Sequence, residues 1–233
     1  MSTPIIDDIS MLNEVAKVRR NLNQDNHDRW SFAIYRCTYG NDAAWSRFED
    51  IITTRAQKEI CELGEPGILD KLEWTIFDDR ETFDNATVDF LRGQFNQWKS
   101  ANWRREQPRA TRLAEVVLSR NPRHRYFIRV GREALDSVLS APGNRDADPG
   151  STAAGWVHFV DSMWTAEIDD VDSDTEECDM PNLDFEPIEG CREEDVGWMK
   201  VATRSICTEA YSLLDDPKML RVIYKRPPEV AAV

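Results

Sequence analysis

Two strand-then-helix units follow one another in the first hundred residues, and this alternation constrains the fold more than any other feature. Trp30-Ser-Phe-Ala-Ile-Tyr-Arg-Cys-Thr-Tyr39 alternates aromatic and β-branched residues as a strand does, and Gly40 ends it. Asn41 or Asp42 then caps a helix whose Ala44, Trp45, Phe48, Ile51 and Ile52 share one face. That helix runs towards Cys61 and stops at Gly64-Glu-Pro-Gly67. Leu72-Glu-Trp-Thr-Ile-Phe-Asp78 repeats the strand pattern, and Asp84 and Asn85 precede a helix with Val88, Leu91, Phe95 and Trp98 in register. A helical crossover between two strands predicts that they run parallel.

Ile5, Ile9, Leu12 and Val15 or Ala16 predict an amphipathic helix over 5–22, followed by a polar stretch to Asp28. A helical piece is expected at 110–119, a strand over Arg125–Val130, a short helix over Glu133–Ser140 and a breaker-rich loop over Pro142–Gly150. Gly155–Trp164 reads as a fourth strand. Val196, Met199, Thr203, Ile206, Ala210 and Leu213 or Leu214 recur at helical spacing up to Asp216-Pro217, and Leu220–Tyr224 reads as a short last strand. The expected architecture is α+β: a single domain over 29–226 holding a four- to five-stranded mixed sheet with helices mainly on one face. An N-terminal helix and linker (1–28) precede it and a tail (227–233) follows. A ferredoxin-like, split βαβ arrangement fits this order, with a doubly wound sheet as the alternative.

Charge is distributed very unevenly. The chain has 29 Lys+Arg against 43 Asp+Glu, a net charge of −14. Residues 167–195 carry fourteen acidic residues against Arg192 alone, whereas 99–132 carry ten basic residues against Glu106 and Glu115. Asp170, Asp172 and Asp174 fit the first positions of an EF-hand loop, but Thr175 stands where the loop needs Gly and Pro181 where it needs a bidentate carboxylate. The acidic stretch therefore reads as a solvated loop that folds over the arginine-rich segment, and no metal is expected. The basic stretch interleaves Trp103 and Tyr126 with cations, yet a chain of this overall charge is repelled by phosphate, which disfavours nucleic acid as a partner.

One constellation has a geometric argument. Alternation puts Trp30, Phe32, Ile34 and Arg36 on one face of the first strand and Leu72, Trp74, Ile76 and Asp78 on one face of the second. If the strands are parallel, Arg36 and Asp78 lie at the same carboxyl end of the sheet, where ligands bind in open α/β folds; adjacent strands let them pair, and one intervening strand sets them across a gap about 10 Å wide. His158 lies between Trp156 and Val160 in a similar pattern. Arg36, Asp78 and His158, with Tyr35 or Tyr39 nearby, are the candidate ligand-binding residues; a buried Arg36–Asp78 bridge and a hydrogen-bonded core histidine are the structural alternative. Cys37 is the nearest thiol, more readily a small buried apolar residue than a nucleophile. Packing accounts first for the eight tryptophans.

Other classes fall away. No apolar run approaches the roughly 18 residues of a membrane span, and the N-terminus has neither a secretory nor a lipidation pattern. Five scattered cysteines (Cys37, Cys61, Cys178, Cys191, Cys207) suit reduced thiols, hence a cytoplasmic location. Neither GxSxG, GxxxxGK[ST], GxGxxG nor HExxH occurs, so no catalytic residue and no cofactor is assigned. The runs Trp30–Trp45, Trp74-Thr-Ile-Phe-Asp-Asp-Arg80 and Glu193-Glu-Asp-Val-Gly-Trp-Met-Lys-Val201 resemble an uncharacterised protein family of filamentous ascomycete fungi with no assigned activity. The resemblance covers roughly 28–215 and implies a fungal origin. Two functions are expected from the charge distribution and the strand-end constellation. One is an intracellular accessory protein that meets a protein partner through the acidic loop or the arginine-rich segment. The other is a small-molecule-binding protein or enzyme of fungal secondary metabolism, with its pocket at the strand ends near Arg36 and Asp78.

Overall fold

The computed structural model describes residues 13–141, 155–166 and 185–232. Its centre is one six-stranded mixed sheet in the order β2-β1-β3-β4-β5-β6. β1 (Ala33–Arg36) lies parallel to both β2 (Thr75–Phe77) and β3 (Tyr126–Val130). β4 (Trp156–Asp161) and β5 (Trp198–Ala202) continue antiparallel, and β6 (Val230–Ala231) closes the far edge parallel to β5.

The connections explain the layering. α2 (Asp42–Glu62) carries the chain outward from β1 to β2. The chain then returns past β1 to β3 through α3 (Arg80–Phe83), α4 (Val88–Glu106), α5 (Ala114–Arg120) and α6 (Pro122–Arg125). Right-handed crossovers in opposite directions put their helices on opposite faces, and the packing follows that rule. On one face Trp30, Phe32, Ile34, Ile128 and Val130 pack with Trp45, Phe48, Ile52, Ala56 and Ile60 of α2. α1 (Glu14–Gln24), α7 (Arg132–Ser140) and α8 (Thr208–Leu213) contribute Val15, Val18, Leu135, Val138, Ala210 and Tyr211 to that same cluster. On the other face Ala33, Tyr35, Cys37, Phe127 and Val160 meet Phe83 of α3 and Val88, Leu91 and Phe95 of α4.

The helix caps are local. Asn13 Oδ1 accepts from Ala16 N at 2.8 Å and Asn41 Oδ1 from Ala44 N at 3.0 Å, while Thr87 caps α4.

Five expectations need correction. The sheet has six strands rather than four or five, helices cover both faces rather than mainly one, and the parallel β2-β1-β3 core replaces the split βαβ arrangement. The stretch read as one helix from Val196 to Leu214 begins instead with β5, and only 208–213 is helical. A short strand buried on both faces cannot be told from a buried helix by periodicity. Leu220–Tyr224, read as a strand, lies largely in α9 (Met219–Ile223), and the last strand is β6. The first part of the 5–22 helix, the 142–150 loop and most of the acidic stretch lie outside the described residues. No described helix is long and apolar enough to cross a membrane.

Candidate functional site

Arg36 and Asp78 do meet at the carboxyl ends of β1 and β2, and every arm of the guanidinium is occupied there. Arg36 Nη1 donates to Asp78 Oδ2 at 3.1 Å, Nε donates to Thr38 O at 3.1 Å and Nη2 donates to Asp42 Oδ1. The buried guanidinium also lies 4.5 Å from the Tyr39 ring centroid and 5.2 Å from that of Trp45. This cluster fastens the end of β1 to the first turn of α2. Burial beside Asp78 holds the Tyr39 phenol above its ordinary range. Beyond the paired ends of β1 and β3, where an open sheet would offer a crevice, Arg132 Nη2 donates to Tyr39 O at 3.4 Å.

His158 is not part of that cluster. Arg36 is opposite Val130, whereas His158 is opposite Arg129, one residue earlier on β3, so the two side chains leave the sheet on opposite faces. Tyr35 is on the His158 side, stacked on Phe77 at 4.5 Å and edge-on to Phe83 and Phe127. His158 stands between Trp156 and Trp198, with ring centroids at 5.1 and 4.7 Å, and its Nδ1 is buried without a hydrogen-bond partner. Burial, reinforced by Arg129 and Lys200, pushes its pKa down to about 3. The pocket expected from Arg36, Asp78 and His158 therefore resolves into two separate packed clusters.

The arginine-rich segment is used within the fold. Arg123, fully buried, meets Glu106 Oε2 at 2.6 Å; Arg125 meets Asp161 at 2.8 Å; Arg112 meets Asp25 at 2.6 Å; and Arg109 pairs with Asp28. The described part of the acidic stretch is held largely through its backbone. Arg226 donates to the carbonyls of Glu186 (2.7 Å) and Glu193, Tyr224 Oη donates to Glu194 O at 3.1 Å, and Ile188 packs into the second core cluster.

A cleft of about 820 Å³ opens between the turn after β4, residues 193–195 and α9. Trp164, Phe185, Leu220 and Tyr224 form apolar walls, and Arg125, Asp161, Glu193, Glu194, Asp195 and Arg221 supply charge. Its back is braced from α4: Arg92 donates to Asp161 O (3.2 Å) and Gly197 O (3.0 Å), and its guanidinium lies 4.7 Å from the Trp164 ring centroid. Gly197 has φ +74, and a Cβ there would collide with both Arg92 and Trp164. Asp195 accepts from Gly197 N at 2.7 Å, and burial raises its pKa. A second groove of about 660 Å³ between α1 and α8 is lined mainly by polar and charged side chains, among them Glu14, Lys17, Glu209 and Asp216.

Beneath the cleft floor lies Lys99, buried on α4. Its Nζ donates to Ser162 Oγ at 3.1 Å and sits 3.5 Å from the Met163 sulfur, and Met163 lines the cleft. Lys99 was legible only through helical phase: it follows Leu91 and Phe95 at four-residue spacing, on the buried side of α4. No sequence signal marked Ser162 or Asp195.

The two buried thiols, Cys37 and Cys207, are poor nucleophiles, since burial raises Cys37 to about 12 and Cys207 well above its ordinary range. Among the described residues no group of three or more His, Cys, Asp or Glu is placed to hold a metal ion. Compared with known protein families, curated proteins and solved structures, the chain matches none.

Proposed function

We infer that the protein binds a small organic molecule with an apolar body and a cationic group, and that the cleft beside β4 and α9 receives it. The observation that carries this reading is the pairing of aromatic walls with an excess of carboxylates in one concave site. A volume of about 820 Å³ suits a small-molecule ligand. Within the site Arg125 is committed to Asp161, and Arg221 shares the lining with Glu194 and Asp195. A ligand ammonium would be attracted by the carboxylates of Glu194 and Asp195, and Trp164 and Tyr224 offer rings of the kind that attract cations by about 0.5–2 kcal/mol. A docking role for the arginine-rich segment has less support, because Arg109, Arg112, Arg123 and Arg125 already have carboxylate partners in the chain.

The test is a calorimetric titration with benzyltrimethylammonium, benzyl alcohol and benzoate, which share a ring and differ in charge. Binding of the cation alone, weakened at least ten-fold in the Glu194→Gln/Asp195→Asn variant, is the expected result. Equal binding of the alcohol, or no response to the double substitution, contradicts the reading.

A further inference from the structure

A buried lysine normally has a carboxylate partner, and Lys99 departs from that rule. The residue is 4% exposed, as is Ser162, and among the described residues no carboxylate lies within ion-pair distance of its ammonium. Its polar contacts are a hydroxyl and a thioether instead, Ser162 Oγ at 3.1 Å and Met163 Sδ at 3.5 Å. The surroundings contain other unspent polar atoms. Asn96, one turn earlier on α4, donates from Nδ2 to Ser162 O at 3.1 Å, yet its Oδ1 is buried with no partner. His124 is fully buried, its ring 6.1 Å from that of Trp98, and neither ring nitrogen has a partner. Unsatisfied buried polar atoms are rare enough in folded proteins to need an explanation. Met163, 50% exposed, touches Lys99 on one side and lines the open cleft on the other, and methionine has the rotamer freedom to move aside.

We propose that Lys99 captures carbonyl compounds: its Nζ, held against Ser162 Oγ under Met163, forms a reversible imine with an aldehyde or ketone that enters the cleft. The proposal rests on the cleft being a ligand site and adds the chemical class of the ligand. The amine lone pair forms a bond to the carbonyl carbon, and the carbonyl π electrons move to oxygen, which takes up a proton. Ser162, hydrogen-bonded to Nζ, relays the proton lost from nitrogen. The carbinolamine then breaks its carbon–oxygen bond and releases water, leaving the carbon–nitrogen double bond. One amine and one carbonyl become one imine and one water, with no oxidant or reductant. Desolvation, helped by Arg125 and opposed by Asp161, lowers Lys99 to about 8, so a usable fraction is neutral near physiological pH.

The experiment uses the full chain with 4-(trimethylammonio)benzaldehyde at limiting concentration, trapped by cyanoborohydride and mapped by peptide mass spectrometry. The expected adduct is on Lys99, favoured at least ten-fold over each of Lys17, Lys58, Lys71, Lys200, Lys218 and Lys225. Its rate should rise with pH through about 8. Met163→Ala should speed trapping several-fold by opening the floor, and Ser162→Ala should slow it about ten-fold. Lys99→Met should remove the adduct while circular dichroism reports a folded chain. Labelling of exposed lysines with Lys99 untouched, in both wild type and Met163→Ala, overturns the proposal. In that case benzyltrimethylammonium separates the two claims: if it still binds, the cleft reading stands and only the imine falls, and if it does not bind, both fall.

Discussion

Removing either member of the Arg123–Glu106 pair should destabilise the protein severely, whereas removing both should not. Arg123 is wholly excluded from solvent, with Nε and Nη2 on Glu106 Oε2 at 2.8 and 2.6 Å, Nη1 on Glu73 O at 2.7 Å and Nη2 on Thr75 Oγ1 at 2.6 Å. In Glu106→Leu the nearest remaining carboxylate is Glu73, at 3.7 Å and 43% exposed. A buried cation left in that state costs about 3–5 kcal/mol, and the upper end applies here. In Arg123→Met the carboxylate keeps Arg29, at 3.5 Å and partly exposed, so the lower end applies. Arg123→Met/Glu106→Leu leaves no uncompensated charge. Its cost is that of three acceptors, Ser31 O (3.5 Å from Nη1), Glu73 O and Thr75 Oγ1, losing a donor, about 1–3 kcal/mol. Urea unfolding followed by tryptophan fluorescence measures all three, and the expected coupling is about 3 kcal/mol or more. Single variants that each cost under about 1 kcal/mol, or a double variant equal to their sum, would refute the argument that this pair joins α4 to the starts of β1 and β2.

Three further outcomes follow from the same contacts. Gly197→Ala should cost about 2–4 kcal/mol, because a left-handed backbone and a collision with Arg92 and Trp164 act together; a variant as stable as the parent contradicts the packing behind the cleft. His158 is held near 3 against an ordinary 6.5, so the unfolded chain takes up the proton first and stability falls as pH drops through that window. His158→Phe should remove that loss, gaining about 2 kcal/mol on the parent between pH 7 and pH 5, as read by urea midpoints. Glu59 has the opposite sign: burial, with Glu209 and Glu14 nearby, raises it from 4.5 to about 7, so its contribution is lost as pH rises through that range. Glu59→Gln, which keeps an acceptor for Thr208, should gain roughly 1–2 kcal/mol at pH 8 after solvent screening and nothing near pH 4.5.

Much of the fold was legible where local signals agree. Gly40 with Asn41 marked the start of α2, and the repeated strand pattern indicated that β1 and β2 run parallel, while their adjacency, which brings Asp78 to Arg36, is visible only in the fold. β5 was missed because Trp198, Met199, Val201 and Ala202 are buried on both faces of the sheet and so lack a period-two signature. The site was less legible for a topological reason. His158 and Arg36 both stand near the same end of the sheet, but a one-residue offset against β3 reverses the face. No local pattern in β4 carries that offset. The cleft joins the turn after β4 to residues 193–195 and α9, far apart in sequence, so only the folded chain reveals it.

The most direct test of the cleft as a ligand site is nitrogen-15 NMR of the tryptophan indoles during titration with benzyltrimethylammonium. Of the eight tryptophans only Trp164 lines the cleft. Its indole resonance should therefore move most and saturably, while those of Trp30 and Trp45, buried in the core and outside the cleft lining, stay fixed. An unmoved Trp164, or shifts centred on Trp156 and Trp198 around His158, would contradict the account.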